Sequence, residues 1–375
     1  MKTYDAIIAG GGIIGASLAF ELTTRGLSVL ILDRQQPGLE ASWAAAGMLA
    51  PDSETVDDVP VFPLAKMSLA RYPEFVAEIE EAAELNAEFR HDGGLRIFFG
   101  PNGEQQRDHE VANHRSAGLA SEAMSVYEAR AMEPALSENA AAAAWLPFEC
   151  SVDPRALTRA VLAACANRAV EIRAGVAVEG ISKHGAHCHG FIANGEPMHA
   201  RHSVLAAGCF SASVPEMRKY APTSPVRGQI LALRSDQVKL MRALRSERGY
   251  VVPRNDGRLI AGSTSEKVGF EKAVTPEGID QIRTAVTELV PDLANATMVD
   301  SWSGLRPDTP DHLPILGPTD LEGLWIATGH YRNGILLAPG TAKVMAEWIT
   351  EGKPSVALES FSPLRFTIER QRAAI

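Results

Sequence analysis

The stretch Ala6-Ile-Ile-Ala-Gly10-Gly-Gly12-Ile-Ile-Gly15-Ala-Ser-Leu-Ala19, followed by Arg25-Gly26-Leu-Ser-Val-Leu-Ile-Leu-Asp33, decides the fold. It reads as an apolar strand, a glycine turn, a helix and a second strand that ends in an acid. Gly10 permits the tight turn, Gly12 lets the backbone approach a pyrophosphate, and Gly15 lets the helix sit close to the strand. The helix N-terminus, at Ile13 and Ile14, then offers its N–H groups to phosphates. Asp33, with Arg34 after it, closes the second strand where a carboxylate accepts the hydroxyl hydrogens of an adenosine ribose lacking a 2′-phosphate. The unit predicts an α/β, Rossmann-like dinucleotide site and leaves FAD and NAD both open.

A chain of 375 residues is long enough for two cores. Its net charge of -10 argues against a nucleic-acid partner, so an anionic ligand must be held by local arginines. Cys150, Cys165, Cys188 and Cys209 lack C-x-x-C spacing and read as reduced structural thiols. The first strand begins by about Tyr4, which leaves no room for a leader, and no uncharged apolar run approaches the roughly 20 residues that cross a bilayer. A cytoplasmic protein without a transmembrane segment is expected, and a homo-oligomer is compatible with this composition. Arg365, Arg370 and Arg372 read as a solvated basic end.

Further along, Ala41-Ser42-Trp-Ala-Ala45-Ala46-Gly47-Met48-Leu-Ala-Pro51 is small and uncharged, which suits a backbone pressed against a flat ligand. Residues 63–88 are helical in pattern, interrupted at Pro73, and Gly94–Gly100 reads as a strand. Residues 104–121 read as a polar helix, and the alanine run Asn139–Ala144 as a short linking helix or turn. Asp153 is placed as the N-cap of a helix that starts at Pro154, ahead of a strand over Val170–Val176. The histidines at 184, 187 and 189 have no spacing suited to a metal and are read as a solvated hairpin, so no metal site is expected. Ser203–Gly208, ending in Ala207-Gly208, is a strand that runs into a small-residue turn. The strands Val226–Leu233, Gly249–Pro253 and Arg258–Thr264, with one helix over Pro276–Val290, predict a second, antiparallel sheet. Nucleotide-domain style returns at Gly323–Gly334, ahead of a helix from about Pro339 to Glu351.

These pieces together resemble the FAD-dependent amino acid oxidases of the D-amino acid oxidase, sarcosine oxidase and glycine oxidase group, and glycine oxidase in particular. The resemblance rests on the opening fingerprint, Ala45-Ala-Gly-Met48-Leu, Gly304-Leu-Arg306-Pro-x-Thr309-Pro-Asp311 and Ala327-Thr-Gly329-His330-x-Arg332-Asn333-Gly334-Ile335-Leu-Leu. It implies FAD, held noncovalently because no cysteine lies near Gly304–Arg306. It also implies an FAD-binding domain assembled from residues 1–60, 145–220 and 301–375, and a substrate domain from 61–144 and 221–300. Ala45 to Met48 would lie beside the isoalloxazine, Val176 beside the adenosine, and Gly329 to Ile335 along the pyrimidine ring, with Ser42 also contacting the cofactor.

An amino acid oxidase must hold its substrate carboxylate so that the Cα–H faces the flavin, and a guanidinium grips a carboxylate through two parallel bonds. Arg306 and Arg332 are the candidates. Tyr250 resembles the family tyrosine that donates to the same carboxylate, and Met48 would form an apolar wall. His330 fits a structural role beside the flavin better than that of a base. The resemblance thus implies oxidation of a small amino acid, most of all glycine but also sarcosine or a small D-amino acid, with oxygen as acceptor and glycine imine for the thiazole of thiamin as one use. A dehydrogenase passing electrons to a quinone or carrier, a role in amine catabolism, and a flavin-bound interaction protein stay open as alternatives. Where relatives tend to carry a methionine after Gly-x-Thr, this chain has Ser265, which enlarges or polarises the pocket.

Overall fold

The computed structural model describes residues 3–51 and 60–367; the tail positions Arg370 and Arg372 lie outside them. Among the described residues there are two eight-stranded sheets and one two-stranded ribbon. The first sheet runs in the order β17 (Ile315–Pro318), β18 (Leu324–Thr328), β11 (Glu196–Leu205), β1 (Tyr4–Ala9), β2 (Val29–Asp33) and β8 (Glu171–Ala174). Beyond β11 the sheet is extended by the hairpin β9 (Val178–His184) and β10 (His187–Ala193). Its centre is parallel: β1 lies between β2 and β11. Ile7 and Ile8 are therefore both fully buried, as a strand covered on two faces requires.

Helices α1 (Ile13–Thr24), α3 (Phe62–Ala83), α6 (Pro154–Asn167) and α8 (Gly334–Glu351) share one apolar core on one face of that sheet. The β9–β10 hairpin and the short turns Gly208–Ser213 and Met217–Lys219 cover the other. Asp153 caps α6 as read, its Oδ1 accepting the N–H groups of Arg155 at 2.8 Å and Ala156 at 3.1 Å.

The second sheet is β16 (Thr297–Asp308), β12 (Ser224–Arg234), β15 (Leu259–Gly262), β14 (Tyr250–Pro253), β13 (Ala243–Arg245), β4 (Gly94–Phe99), β6 (Ala140–Leu146) and β5 (Glu122–Met124). It is antiparallel, as expected, except that β13 pairs with β4 in parallel. One face packs on α5 (Val126–Met132) and α7 (Pro276–Leu289). On the other face α4 (Gly103–Ser116) covers β4 and β6, while Ile230, Val252 and Trp302 form a small core beside Met48 and Tyr250. The short helix α2 (Ala41–Ala44) leads into the ribbon of β3 (Met48–Leu49) and β7 (Cys150–Ser151).

Five expectations need correction. The alanine run is the buried strand β6 and not a helix or turn. Helix α3 passes through Pro73 without interruption, because that proline is on the solvent side, where the carbonyl it frees can meet water. Helix α8 begins at Gly334 and contains Pro339. The division of domains also shifts: α3 packs into the nucleotide-side core, and residues 301–308 belong to β16 of the second sheet. Arg365 is not a solvated end, since its guanidinium is bonded to the carboxylate of Asp311 at 2.7 Å.

Candidate active site

A cavity of about 1360 Å³ runs between the two sheets. At its nucleotide end the turn after β1 presses on the end of β11. A Cβ on Gly10, whose φ is +114°, would stand 2.3 Å from Ala206 O, so glycine is required. Gly12 precedes α1, whose first turn carries no acid, and Ser42 Oγ accepts the Ile13 N–H at 2.9 Å. Asp33 is fixed at the wall by two backbone donors, Gly11 N–H at 2.8 Å and Gln35 N–H at 3.0 Å. Arg34 lies flat on Phe210, 3.4 Å from its ring centre, and is paired with Glu40 at 2.6 Å. Val176, Ala207 and Gly208 complete this end. Gly15 is not a cavity residue: a Cβ there would sit 2.0 Å from Gly10 O, so it serves the close approach of helix and turn.

A dinucleotide fits these residues. The glycine cradle brings backbone to the cavity, a helix N-terminus free of acids faces it, and a carboxylate is immobilised about one strand away.

At the other end the cavity is lined by Ala45, Ala46, Gly47 and Met48, by Gly329, His330, Asn333, Gly334 and Ile335, and by Gly304. Gly304 could not be larger, since a Cβ would meet Ala44 Cβ at 2.4 Å. Helix α8 starts here with no acid in its first turn, so its positive end adjoins the cavity. His330 is buried, and its Nε2 meets Thr341 Oγ1 at 3.0 Å. Burial lowers its pKa to about 3, which keeps the ring neutral.

Arg306, Arg332, Tyr250 and Met48 all line this same end. Arg306 lies across Gly228, with Nη1 donating to Thr264 O at 3.1 Å and Nη2 to Ser263 Oγ at 2.8 Å. Arg332 is exposed, its guanidinium 5.2 Å from the Tyr331 ring centre. Burial pushes the Tyr250 phenol up, while Arg306, a Ser263 hydrogen bond, Arg254 and Arg332 pull it down; the net shift is upward. The phenol therefore remains a proton donor at neutral pH. Ser265, exposed, lines the same cavity, whereas Trp302 turns its Nε1 to Ala44 O at 3.0 Å behind the wall.

Phe210, Glu40 and Ser263 were missed by the sequence reading. Nothing near them in the chain marks them, because their partners are brought in from other elements.

The family described as FAD dependent oxidoreductase matches residues 5–348. The chain is 37% identical over 369 residues to the bifunctional protein ThiO/ThiG of Trichormus variabilis, covering 97% of this chain and 55% of that protein. It thus spans about half the length of the bifunctional relatives it matches. It is 32% identical to the glycine oxidase of Geobacillus kaustophilus, covering 96% of this chain and 97% of the relative. The crystal structure of glycine oxidase from Geobacillus kaustophilus superposes with a TM-score of 0.93 at 31% identity, over 97% of this chain and 99% of that one. The L-proline dehydrogenase of P. horikoshii, at 20% identity and a TM-score of 0.87 over 98% of this chain and 99% of that one, shares the fold.

Proposed function

The chain belongs to this family of FAD dependent oxidoreductases, and from that premise we propose that it oxidises a small amino acid, glycine foremost, to an imine that water converts to glyoxylate and ammonia. FAD, which Gly10, Gly12, Asp33 and the Ala45–Met48 and Gly329–Ile335 segments would hold, would supply the acceptor for a hydride from the substrate Cα and a route for its electrons to oxygen as hydrogen peroxide.

The chain's own residues supply binding and alignment. Arg306 receives the carboxylate, because its plane is already set by Thr264 O and Ser263 Oγ, and Arg332, lining the same cavity, adds a second guanidinium. Tyr250 donates its phenolic proton to the same carboxylate. Met48 closes the apolar side. His330 takes no proton, being held neutral by burial and already engaged with Thr341. The amine therefore reacts in its unprotonated form, with no strong side-chain base needed.

The observation that carries this reading is the placement of Arg306, Tyr250 and Met48 on the wall shared with Ala45–Met48 and Gly329–Ile335. The similarity to glycine oxidases supports glycine as substrate. Ser265 leaves room beside it for N-methylglycine and small D-amino acids. Supply of imine for thiamin belongs to the same proposal. So does a cytoplasmic setting, which four buried, unpaired cysteines support; no helix among the described residues is long and apolar enough to cross a membrane.

An anaerobic screen of flavin bleaching with glycine, N-methylglycine and small D-amino acids is the test. Rapid bleaching by glycine, with peroxide released on admission of air, is expected. A yellow protein that no small amine bleaches refutes the assignment.

A further inference from the structure

The segment Trp43–Gly47 is gripped from behind at four carbonyls. Arg155 Nε donates to Trp43 O at 3.2 Å, Trp302 Nε1 to Ala44 O at 3.0 Å, Arg254 Nη2 to Ala46 O, and the Val152 N–H to Gly47 O at 2.9 Å. Ala44 to Met48 line the main cavity, whereas Arg155, Arg254 and Trp302 border a small separate void behind Ala45. A trans peptide is planar, with its C=O and N–H pointing in opposite directions. A carbonyl drawn backward therefore sends the next N–H forward. Capture of Ala46 O aims the Gly47 N–H into the cavity.

Arg254 is built for this hold. It follows β14, the strand that carries Tyr250, and it is 7% exposed. Asp153 lies 3.6 Å from its Nε. That carboxylate is itself committed to the cap of α6, so it fixes the guanidinium against a helix end. Only glycine fits at 47, because any Cβ would meet Val152 O at 2.0 Å and its φ is +78°, so the backbone here passes close to Val152 and its direction is left to the anchors.

We infer that Arg254 is a positioning residue: by holding Ala46 O it presents the Gly47 N–H as a fixed donor to the redox-active ring that this segment borders, and so favours the reduced cofactor. The inference rests on the flavin reading above. A donor held in place before electrons arrive stabilises the extra charge without reorganisation, and hydrogen bonds to a redox centre tune its potential.

The test is a potential measurement on FAD-loaded protein, by anaerobic equilibration with a reference dye and with no amine present. Arg254→Met is expected to lower the ratio of reduced to oxidised flavin about tenfold at a fixed dye poise, equivalent to about 30 mV for a two-electron couple. Arg254→Lys keeps the charge beside Asp153 but lacks the planar fork, and is expected to show most of that loss. Wild-type potential in both variants overturns the inference. Wild-type potential in the lysine variant alone also overturns it, by assigning the effect to charge and not to position. Should Arg254→Met fail to load FAD, Arg254→Lys and the double variant Arg254→Met/Asp153→Asn decide, the latter removing the stranded carboxylate while keeping an α6 cap. Glycine KM is expected to stay within twofold while kcat falls. Because the dye titration needs no substrate, inability of the wild type to oxidise glycine would refute the proposed activity and leave this inference standing.

Discussion

At the scale of single residues, Arg306 carries the largest consequence. Two bonds to neutral oxygens set its plane, and each charged bond to a substrate carboxylate contributes about 1.5–3 kcal/mol. Loss of two such bonds in Arg306→Ala is expected to lower kcat/KM roughly 10²–10⁴-fold, with the flavin spectrum retained because the glycine cradle is untouched. Steady-state kinetics and the visible spectrum check both halves. Tyr250→Phe removes one donor and is expected to raise KM roughly 2- to 10-fold. His330 gives a prediction in pH. Its folded pKa is depressed to about 3 while the unfolded ring titrates near 6.5. The unfolded state therefore binds the extra proton, and the stability is present above about pH 6.5 and lost as pH falls toward 3, with a limiting slope of about 1.4 kcal/mol per pH unit. Thermal unfolding between pH 7 and 4 is expected to show this loss, and His330→Gln to flatten its upper part. Arg306 and Arg332 could be proposed from the sequence because motif blocks carry them, and Tyr250 because it lies on the strand Gly249–Pro253; all three line the cavity. Arg254 and Phe210 could not be so proposed, since each acquires its meaning from a backbone carbonyl or a guanidinium more than 150 residues away.

Among the elements, α8 shows how an internal proline is accommodated at a cavity wall. Pro339 has no N–H for Ile335 O, and the Tyr72 hydroxyl on α3 supplies the missing donor at 2.7 Å. Ser68 Oγ donates to Leu336 O at 2.6 Å and accepts the Gly340 N–H at 2.9 Å, so one hydroxyl bridges the broken turn. These groups are buried, so a lost partner leaves unsatisfied backbone. Tyr72→Phe is expected to cost about 1–3 kcal/mol in denaturant unfolding, and Ser68→Ala at least as much. Both should also loosen FAD, because the same helix presents Gly334 and Ile335 to the cavity. The repair explains why a helix read from Pro339 starts a turn and a half too late: proline marks an N-terminus in isolation, and only α3 makes it an interior residue. Residues 140–146 show the converse error. Alanine favours helix intrinsically, yet Ala142 and Ala144 pack with Phe98 and Val111, and a Cβ on Gly103 of α4 would meet Ala141 Cβ at 2.6 Å. Small size under a close helix, and not propensity, places that run in the sheet.

Across the whole molecule, the two sheets must stay in register for a cofactor held by one to meet a substrate held by the other. The loop between β15 and α7 reaches over the nucleotide end to do this. Phe270 stacks on Phe210 with ring centres 5.0 Å apart. Lys272 pairs with Glu40, and Ser303 Oγ holds Lys272 O at 2.6 Å. Glu40 also takes Arg34 and Gln35, and Arg34 lies on Phe210, so the loop closes onto the residues that border Asp33. A part-exposed ion pair contributes about 0.2–1 kcal/mol, and an aromatic pair about 0.5–1.5 kcal/mol. Lys272→Ala is therefore expected to speed FAD release roughly 1.5- to 5-fold, and Phe270→Ala roughly 2- to 10-fold, read as the rise in free-flavin fluorescence after dilution. Salt separates the two contributions. Raising ionic strength should speed release from wild type and from Phe270→Ala, but change Lys272→Ala little, because the screened pair is already gone. Release from Lys272→Ala at the wild-type rate, with the wild type indifferent to salt, would show that the loop joins the sheets without holding the nucleotide.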